Sequence, residues 1–351
     1  MKQLMALSLL TMSSICLGTE THSSSKMSLG NPKPSSPWFT GPLLTPSPNV
    51  VTIGHYNIEP YVYYGSTTSQ YDGNWHTVDT PTLTQLRFQV PIQFGLTQWM
   101  DIAVTPQVIH TWSQGAQSTR FTDLPVQFDF QILKDRHGWN WHPSLRFTVK
   151  ESFPVGEYQR LSPNKHKTDI GGSGSFATSM GFVIGKLFNF FSGVHYLNTR
   201  FSISYTYPAP VHVRGFNTYG GGYGTAGKVY PGNVLGFLLG LEYSMTQRWV
   251  LALDAACTTA TKTRFKGSPG STTRGGSTPA QVGGQPIDPL GLGNNVDAVV
   301  GGPSSARFSL APALEYNWNA NLGLIIGGIV SVGGRNSVRF ASGSAAFNYY
   351  Y

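Results

Sequence analysis

Residues 84–94 read Thr-Gln-Leu-Arg-Phe-Gln-Val-Pro-Ile-Gln-Phe, an alternation of polar and apolar side chains. Successive side chains of a β-strand point to opposite faces, so this alternation sorts them by polarity. Leu86, Phe88, Val90, Ile92 and Phe94 share one face, and Gln85, Arg87, Gln89 and Gln93 share the other. The stretch therefore predicts a strand that separates an apolar medium from a polar one.

Residues 124–132 repeat the pattern, and ten further stretches bring the predicted strands to about twelve. They lie at 50–64, 84–94, 100–108, 124–132, 144–153, 170–185, 189–205, 233–245, 249–259, 306–318, 322–332 and 338–351. Short connections are predicted near 97–98, 135–139, 186–188, 246–248 and 319–321, and long ones at 65–80, 154–169, 208–232 and 265–305. Outer-membrane barrels have short periplasmic turns and longer external loops, so this alternation favours such a barrel.

The composition points the same way. Charged residues make up 11% of the chain and aromatic residues 13%, with 41 glycines. A soluble domain carries about 25% charged residues, whereas a lipid-facing barrel replaces charge with alternating apolar and small polar side chains. We therefore expect an all-β transmembrane antiparallel barrel in the outer membrane of a Gram-negative bacterium.

The N-terminal residues predict export. Residues 1–18 combine Lys2, an apolar core and small residues, as in a secretory signal peptide; a helical anchor would need about 20 apolar residues. Residues 19–47 are rich in Ser and Pro without hydrophobic period, which predicts a disordered periplasmic tail. The alternative is that this segment enters the barrel and plugs it. Residues 48–351 form the predicted barrel.

Cysteine and charge exclude several classes of protein. Cys16 lacks the context of a lipidated cysteine, and removal of the signal leaves Cys257 alone, too few for a disulfide or a thiolate metal cluster. The net charge of +8 comes from scattered basic residues, which argues against nucleic acid. We expect contact with outer-membrane lipid and lipopolysaccharide instead, and no metal or cofactor.

Two sets of site residues follow from the strand phase. The predicted lumen-lining residues are Gln85, Arg87, Gln89, Gln127, Asp129, Gln131, Arg146, Lys150, Glu242, Arg307, Glu315 and Arg339. Aromatic rings settle at the headgroup level of a membrane, and the predicted interface aromatics are Trp99, Trp141, Trp249, Trp318, Tyr349 and Tyr351. The aromatic C-terminal strand resembles the signal read by barrel-assembly machinery, which makes that machinery an expected partner.

Prolines oppose the strand assignments at five positions, because proline cannot donate a ladder hydrogen bond. We expect bulges or shifted strand boundaries at these prolines, which are Pro91, Pro106, Pro125, Pro143 and Pro312.

Catalytic motifs are weak. The Gly171–Gly174 and Gly220–Gly224 stretches lack the Lys-Ser/Thr of a phosphate-binding loop, and no histidine has a second ligand at metal spacing. An outer-membrane lipid hydrolase would need a nucleophile and a histidine at the outer rim; Ser192 with His195 is the nearest pair. Lys165-His166-Lys167 is better suited to lipopolysaccharide phosphate.

Three short motifs carry a resemblance between Leu83 and Ile184. They are Phe94-Gly95-Leu96-Thr97 leading to Asp101-Ile102, then Phe121-Thr122-Asp123-Leu124, then Phe153-Pro154-Val155-Gly156-Glu157-Tyr158. In this order they resemble the family of putative outer-membrane transporters of the meta-pathway of phenol degradation. The resemblance implies an outer-membrane barrel that passes small, hydrophobic molecules, and it offers no established catalytic residues to carry over.

The sequence thus predicts an outer-membrane channel or transporter that passes small solutes by passive diffusion through a polar lumen. One alternative is a closed barrel that acts as a surface antigen or adhesin, and the other is a lipid hydrolase.

Overall fold

A computed structural model describes residues 36–135, 142–189, 195–272, 281–282, 285–286 and 297–351. Among these residues no helix is long and apolar enough to cross a membrane. The strands in chain order are β1 (Tyr56–Ile58), β2 (Tyr61–Tyr71), β3 (Thr77–Gln89), β4 (Ile92–Gly95), β5 (Met100–Val104), β6 (Gln107–Ser113), β7 (Ala116–Phe121), β8 (Leu124–Leu133), β9 (Ser144–Phe153), β10 (Ala177–Asn189), β11 (Tyr196–Pro208), β12 (Val211–Arg214), β13 (Ala226–Tyr230), β14 (Val234–Ser244), β15 (Trp249–Ala260), β16 (Arg264–Ser268), β17 (Gln281–Val282), β18 (Gln285–Pro286), β19 (Ser305–Asn319), β20 (Leu322–Arg335) and β21 (Ser337–Tyr350).

Sixteen of these segments form one closed antiparallel sheet. β21 closes it, because this strand pairs with β20 on one side and with β1 and β2 on the other. The pairs β1/β2, β3/β4, β5/β6 and β7/β8 are each one interrupted strand, so the barrel has twelve strands. The predicted fold class is therefore confirmed.

Each of the twelve predicted strands overlaps a strand of the barrel, but the predicted long loop at 65–80 is wrong. β2 and β3 continue through most of it and leave only the turn at 72–76. Asp72 explains the tight turn, because its carboxylate accepts hydrogen bonds from the backbone N–H groups of Asn74 and His76. Residues such as Gly, Asp and Asn occur in tight turns as well as in long loops, so the composition of 65–80 did not reveal the length of this connection.

The prolines fall where the hydrogen-bond ladder is broken. Pro91 and Pro106 separate the two halves of their strands, and Pro143 precedes β9. Pro125 lies beside a bulge at Thr122-Asp123, where the pairing register shifts by one residue between Val108↔Phe121 and Val104↔Val126. Pro312 remains inside β19, next to a gap in its ladder to β20. The expected bulges and shifted boundaries account for four of the five prolines.

The two faces of the barrel differ in polarity. The exposed outer face carries large apolar side chains such as Phe88, Phe182 and Leu251, whereas the inner face buries polar ones such as Asp129, Arg146 and Glu242. A soluble barrel would bury apolar side chains and expose polar ones, so the reversed arrangement matches a lipid-facing wall around a polar interior. The chain is an outer-membrane barrel.

The end of the barrel opposite Tyr351 carries a second, smaller sheet. β12, β13 and β16 pair in that order and come from the long connections that follow β11 and β15. Val211, Val213 and Val229 form its buried core, with Phe265 packed against them. Because outer-membrane barrels place their long loops outside the cell, this sheet is extracellular and the short turns are periplasmic.

Candidate functional site: the lumen and its N-terminal plug

Residues 36–52 lie inside the barrel, and we call them the plug. The plug enters beside a periplasmic turn, where the backbone N–H of Trp38 donates to the carbonyl oxygen of Gln247 (3.0 Å). Leu43, Leu44 and Thr45 are fully buried. The expectation of a disordered periplasmic tail therefore needs correction for residues 36–47, while the part of that tail before residue 36 lies outside the described residues.

Carboxylates of the barrel wall hold the middle of the plug. Asp254 accepts hydrogen bonds from the backbone N–H of Leu44 (3.1 Å), the backbone N–H of Thr45 (3.0 Å) and the Thr45 hydroxyl (2.6 Å). Glu315 accepts one from the N–H of Thr40 (2.7 Å). These bonds satisfy backbone donors that would otherwise be buried without partners.

The plug leaves the lumen through a second set of contacts at the periplasmic end. The backbone N–H of Val51 donates to Asp101 (2.6 Å), and Gln131 both accepts from Val50 and donates to the carbonyl oxygen of Pro48. At Gly95 a Cβ atom would lie 2.1 Å from the carbonyl oxygen of Thr52. Only glycine allows the chain to pass this close to the strand.

One sector of the lumen is apolar and receives the tip of the plug. Leu43 and Leu44 pack in a cluster with the inward-facing side chains of strands β2, β14, β20 and β21, which are Tyr61, Tyr63, Leu238, Ile325, Ile329, Val338 and Phe340. The lumen is therefore polar around most of its wall and apolar where the plug docks. The predicted lumen-lining residues did not include this sector.

Buried ion pairs line the periplasmic half of the wall. Arg146 lies 3.4 Å from Asp129, and Arg200 lies 2.7 Å from Glu242, with all four side chains almost fully buried. Buried charges are tolerated only when they are paired and hydrogen-bonded. These pairs tie neighbouring strands β8 to β9 and β11 to β14 at the level of the plug.

A cavity lies above the tip of the plug. It contains about 940 Å³ of space not filled by atoms, part of it open to solvent, and Leu44 is the plug residue that contributes to its lining. The remaining lining comes from strands β2, β3, β6, β8, β9, β20 and β21 and from Thr105, including Arg87, Lys150, four glutamines, Tyr63 and Phe340. The plug thus divides the lumen into an outer cavity and a filled periplasmic part.

Eleven of the twelve predicted lumen residues face inward in the strand alternation. Gln85, Arg87, Gln89, Gln127 and Lys150 line the outer cavity, Arg307 lies over the ring of Phe340, and Asp129, Gln131, Arg146, Glu242 and Glu315 lie beside the plug or in the ion pairs. Arg339 is the exception, because Val338 and Phe340 on either side of it are buried and it is exposed. The phase of β21 therefore places Arg339 on the outer face.

Several plug contacts escaped the sequence analysis. Asp101 and Asp254 lie in correctly predicted strands and share the inward phase, so the alternation could have identified both. Nothing in the sequence indicated that their partners would be backbone amides of the N-terminal segment.

Aromatic side chains surround the periplasmic end. Trp99, Trp249, Trp318, Tyr349 and Tyr351 are exposed there, and their rings contact neighbouring aromatics, as in the Trp249–Tyr316 and Trp318–Phe347 pairs. Trp141 lies outside the described residues. Exposed amphipathic rings at one end of a barrel match the position of a headgroup.

Two of the resemblance motifs meet at the extracellular rim. Asp123 accepts hydrogen bonds from the N–H of Gly156 (3.1 Å) and from the N–H and hydroxyl of Ser173 (both 2.8 Å). Tyr219 donates to the carbonyl oxygen of Ser173 (2.9 Å), and burial, together with the charge of Asp123, raises the pKa of Tyr219 above its usual range. Asp123 therefore latches the 154–176 loop to the barrel.

The candidate catalytic and metal residues do not assemble a site. His195 stacks on Tyr243 at the periplasmic end, opposite the outer rim that a lipid hydrolase would require, and Ser192 lies outside the described residues. In the part of the chain that the structure describes, no three His, Cys, Asp or Glu side chains are grouped to hold a metal ion.

The fold is similar to that of the COG4313 outer membrane channel from Pseudomonas putida F1. The TM-score is 0.61 at 12% identity, over 86% of this chain and 97% of that chain. The NanC porin (TM-score 0.39, 10% identity, 83% of this chain and 98% of that one) and the TodX monoaromatic hydrocarbon channel deltaS2 mutant (0.37, 11%, 90% and 95%) are too dissimilar to carry an argument. At these identities only the fold is shared. No family model and no curated protein matches the sequence, so the family resemblance stays a prediction.

Proposed function

We propose that this protein is an outer-membrane channel that passes small solutes by passive diffusion, with the plug as its gate. The observation that carries the proposal is the outer cavity, which lies inside the barrel and whose boundary includes the plug residue Leu44. A barrel built only as a scaffold would have no reason to keep such a space, since small barrels fill their interior with side chains. The similarity to an outer membrane channel of the same fold supports this function.

The plug is built for release rather than for permanent closure. Apart from the backbone bond from Trp38 to Gln247, its polar contacts named here are to individual side chains of the wall, such as Asp254 and Asp101, and it adds no strand to the barrel sheet. Displacing it leaves the sheet ladder intact. We therefore expect the plug to leave the lumen without unfolding of the barrel, which opens a continuous path.

A disulfide lock tests this proposal. An ideal Cβ atom at Gly185 lies 3.3 Å from Cβ of Pro48, close to the range of about 3.5–4.5 Å found in disulfides. The Pro48→Cys/Gly185→Cys double variant, in a Cys257→Ser background, is refolded and its folding is verified by a heat-dependent gel shift. Conductance in a planar bilayer is then measured before and after oxidation, with Gly185→Cys alone as the control.

We expect conductance in the reduced protein, a loss on oxidation and recovery with reductant, while the single variant does not respond. Equal conductance in both states would show that the plug is not the gate. A folded, reduced protein that conducts nothing would overturn the channel function itself.

The extracellular sheet supports a second candidate function, the display of a folded surface. Its own apolar core, formed by Val211, Val213 and Val229, gives it a fixed shape that a mobile loop would lack. If the folded barrel shows no conductance and cells or antibodies bind specifically to this sheet, display would be favoured over transport.

A further inference from the structure

The outer cavity is asymmetric in charge. Arg87 and Lys150 are the charged side chains in its lining, which contains no carboxylate. Arg307 also faces inward on the extracellular side, where it covers the ring of Phe340. The lining of the outer cavity is therefore positively charged.

The acidic side chains of the described lumen lie lower down, and most of them are engaged. Asp254, Asp101 and Glu315 bind the plug, while Asp129 and Glu242 pair with arginines. These contacts keep the negative charge at the level of the plug. A solute in the outer cavity is consequently exposed to two cationic side chains, while the carboxylate of Asp129 accepts a hydrogen bond from the lining residue Gln127 (2.8 Å).

The same cavity has an apolar wall. Leu44, Leu83, Ile329 and Phe340 line it, together with glutamines, hydroxyl groups and the two cations. Ligand pockets combine a mostly apolar lining with a few polar groups that fix orientation, and the outer cavity has both. The guanidinium of an arginine presents paired N–H donors that match a carboxylate.

We propose that the outer cavity selects organic monoanions with an apolar body, of which aromatic carboxylates are the simplest. The anionic group binds at Arg87 and Lys150, and the apolar body rests on Phe340, Ile329 and Leu44. This inference rests on the proposed channel function, and it names the chemical class of the solute.

The extracellular sheet carries charge of the same sign. Lys228 lies directly opposite Lys266 in the ladder and opposite His212 on its other side, and Arg214 and Arg264 are exposed on the same strands. Like charges placed opposite one another destabilise a sheet. A cationic face at this position raises the local concentration of anions at the extracellular end of the barrel.

The test measures ion selectivity of the full-length mature protein in a planar bilayer. A tenfold gradient of potassium benzoate gives the benzoate-to-potassium permeability ratio from the reversal potential. We expect a ratio above one, and Arg87→Gln and Lys150→Gln should each lower it by about 5-fold, the size of one charge–charge interaction. Arg339→Gln removes a cation from the outer face of the barrel and should leave the ratio unchanged.

A second measurement tests the contribution of the apolar wall to solute binding. Benzoate should reduce the chloride current at a lower concentration than acetate does, and Phe340→Ser should abolish this difference. A channel that conducts chloride with a benzoate-to-potassium ratio of one or less, or whose ratio is insensitive to both charge substitutions, would overturn this inference and leave the channel function standing. Absence of any conductance in potassium chloride would overturn both.

Discussion

Replacing Gly95 with alanine tests whether the close approach of plug and strand holds the gate shut. The new Cβ atom would lie 2.1 Å from the carbonyl oxygen of Thr52, 2.5 Å from its carbonyl carbon and 2.7 Å from the carbonyl oxygen of Val51. All three atoms belong to the backbone, so no side chain can rotate away. One of the two chains has to move by about 1 Å to reach an ordinary contact distance.

The plug is the chain that yields. Gly95 lies in β4, which is held by ladders to β1 and β5, whereas residues 51 and 52 lie outside any ladder and are held by the bond from Val51 to Asp101 and by the turn 52–55, whose backbone pairs with Gly95. Overpacking of this kind costs about 1–3 kcal/mol. If that cost falls on the docked plug, the population of the undocked plug rises by about 5-fold to 150-fold.

Two assays measure the population of the undocked plug. Chymotrypsin should cut the Gly95→Ala variant faster at Trp38 and Phe39, and its open probability in a planar bilayer should rise. Gly343→Ala is the matched control, because a Cβ atom there meets nothing within 4 Å. A folded Gly95→Ala barrel with the cleavage rate and conductance of the parent would refute the reasoning that this contact pins the plug.

Three further predictions concern the plug, the lumen wall and the loop latch. Asp254→Ala leaves two plug amides without their acceptor, at a cost of about 1–3 kcal/mol, and should speed chymotrypsin cleavage of the plug more than Thr45→Val, which removes one bond; equal rates would contradict this. Arg200→Met leaves the buried Glu242 without its arginine partner and should lower the free energy of unfolding in urea by about 3–5 kcal/mol. Adding Glu242→Leu should restore most of that loss, and a double variant no more stable than Arg200→Met would count against a stabilising role of the pair. Asp123→Ala releases the 154–176 loop, so trypsin should cut faster at Lys165 with no change in open probability, and an unchanged cleavage rate would show that the latch is dispensable.

The sequence predicted the barrel well because its dominant signal is local. A residue in a membrane-spanning strand faces either lipid or lumen, and that choice repeats every two residues. Phe88 and Gln89 illustrate this, since their polarity alone assigns their faces. Arg339 shows the limit of the rule, because an exposed arginine near the extracellular end of β21 reaches water and headgroups without facing inward.

The plug could not be predicted in the same way, because nothing in its own sequence has a period. Residues 42–48 read Pro-Leu-Leu-Thr-Pro-Ser-Pro, which is equally compatible with a solvated tail. What orders the segment lies elsewhere in the chain, since Asp254 is 209 residues from Thr45 and Asn317 is 277 residues from Thr40. A chain with few backbone donors, such as this proline-rich one, also leaves few groups to satisfy when it is buried.

This composition is compatible with the proposed gating, in which one segment both fills the lumen and leaves it. A strand or helix inserted in the barrel would make a regular set of internal or ladder hydrogen bonds and would dock cooperatively. The plug instead docks through separate contacts at Thr40, Leu44, Thr45 and Val51, each to one side chain of the wall. Each contact can break on its own, so the strength of closure is set by a few carboxylates and by the fit of Leu43 and Leu44 in the apolar sector. A solute whose apolar body competes for that sector would therefore favour opening from the side on which it binds.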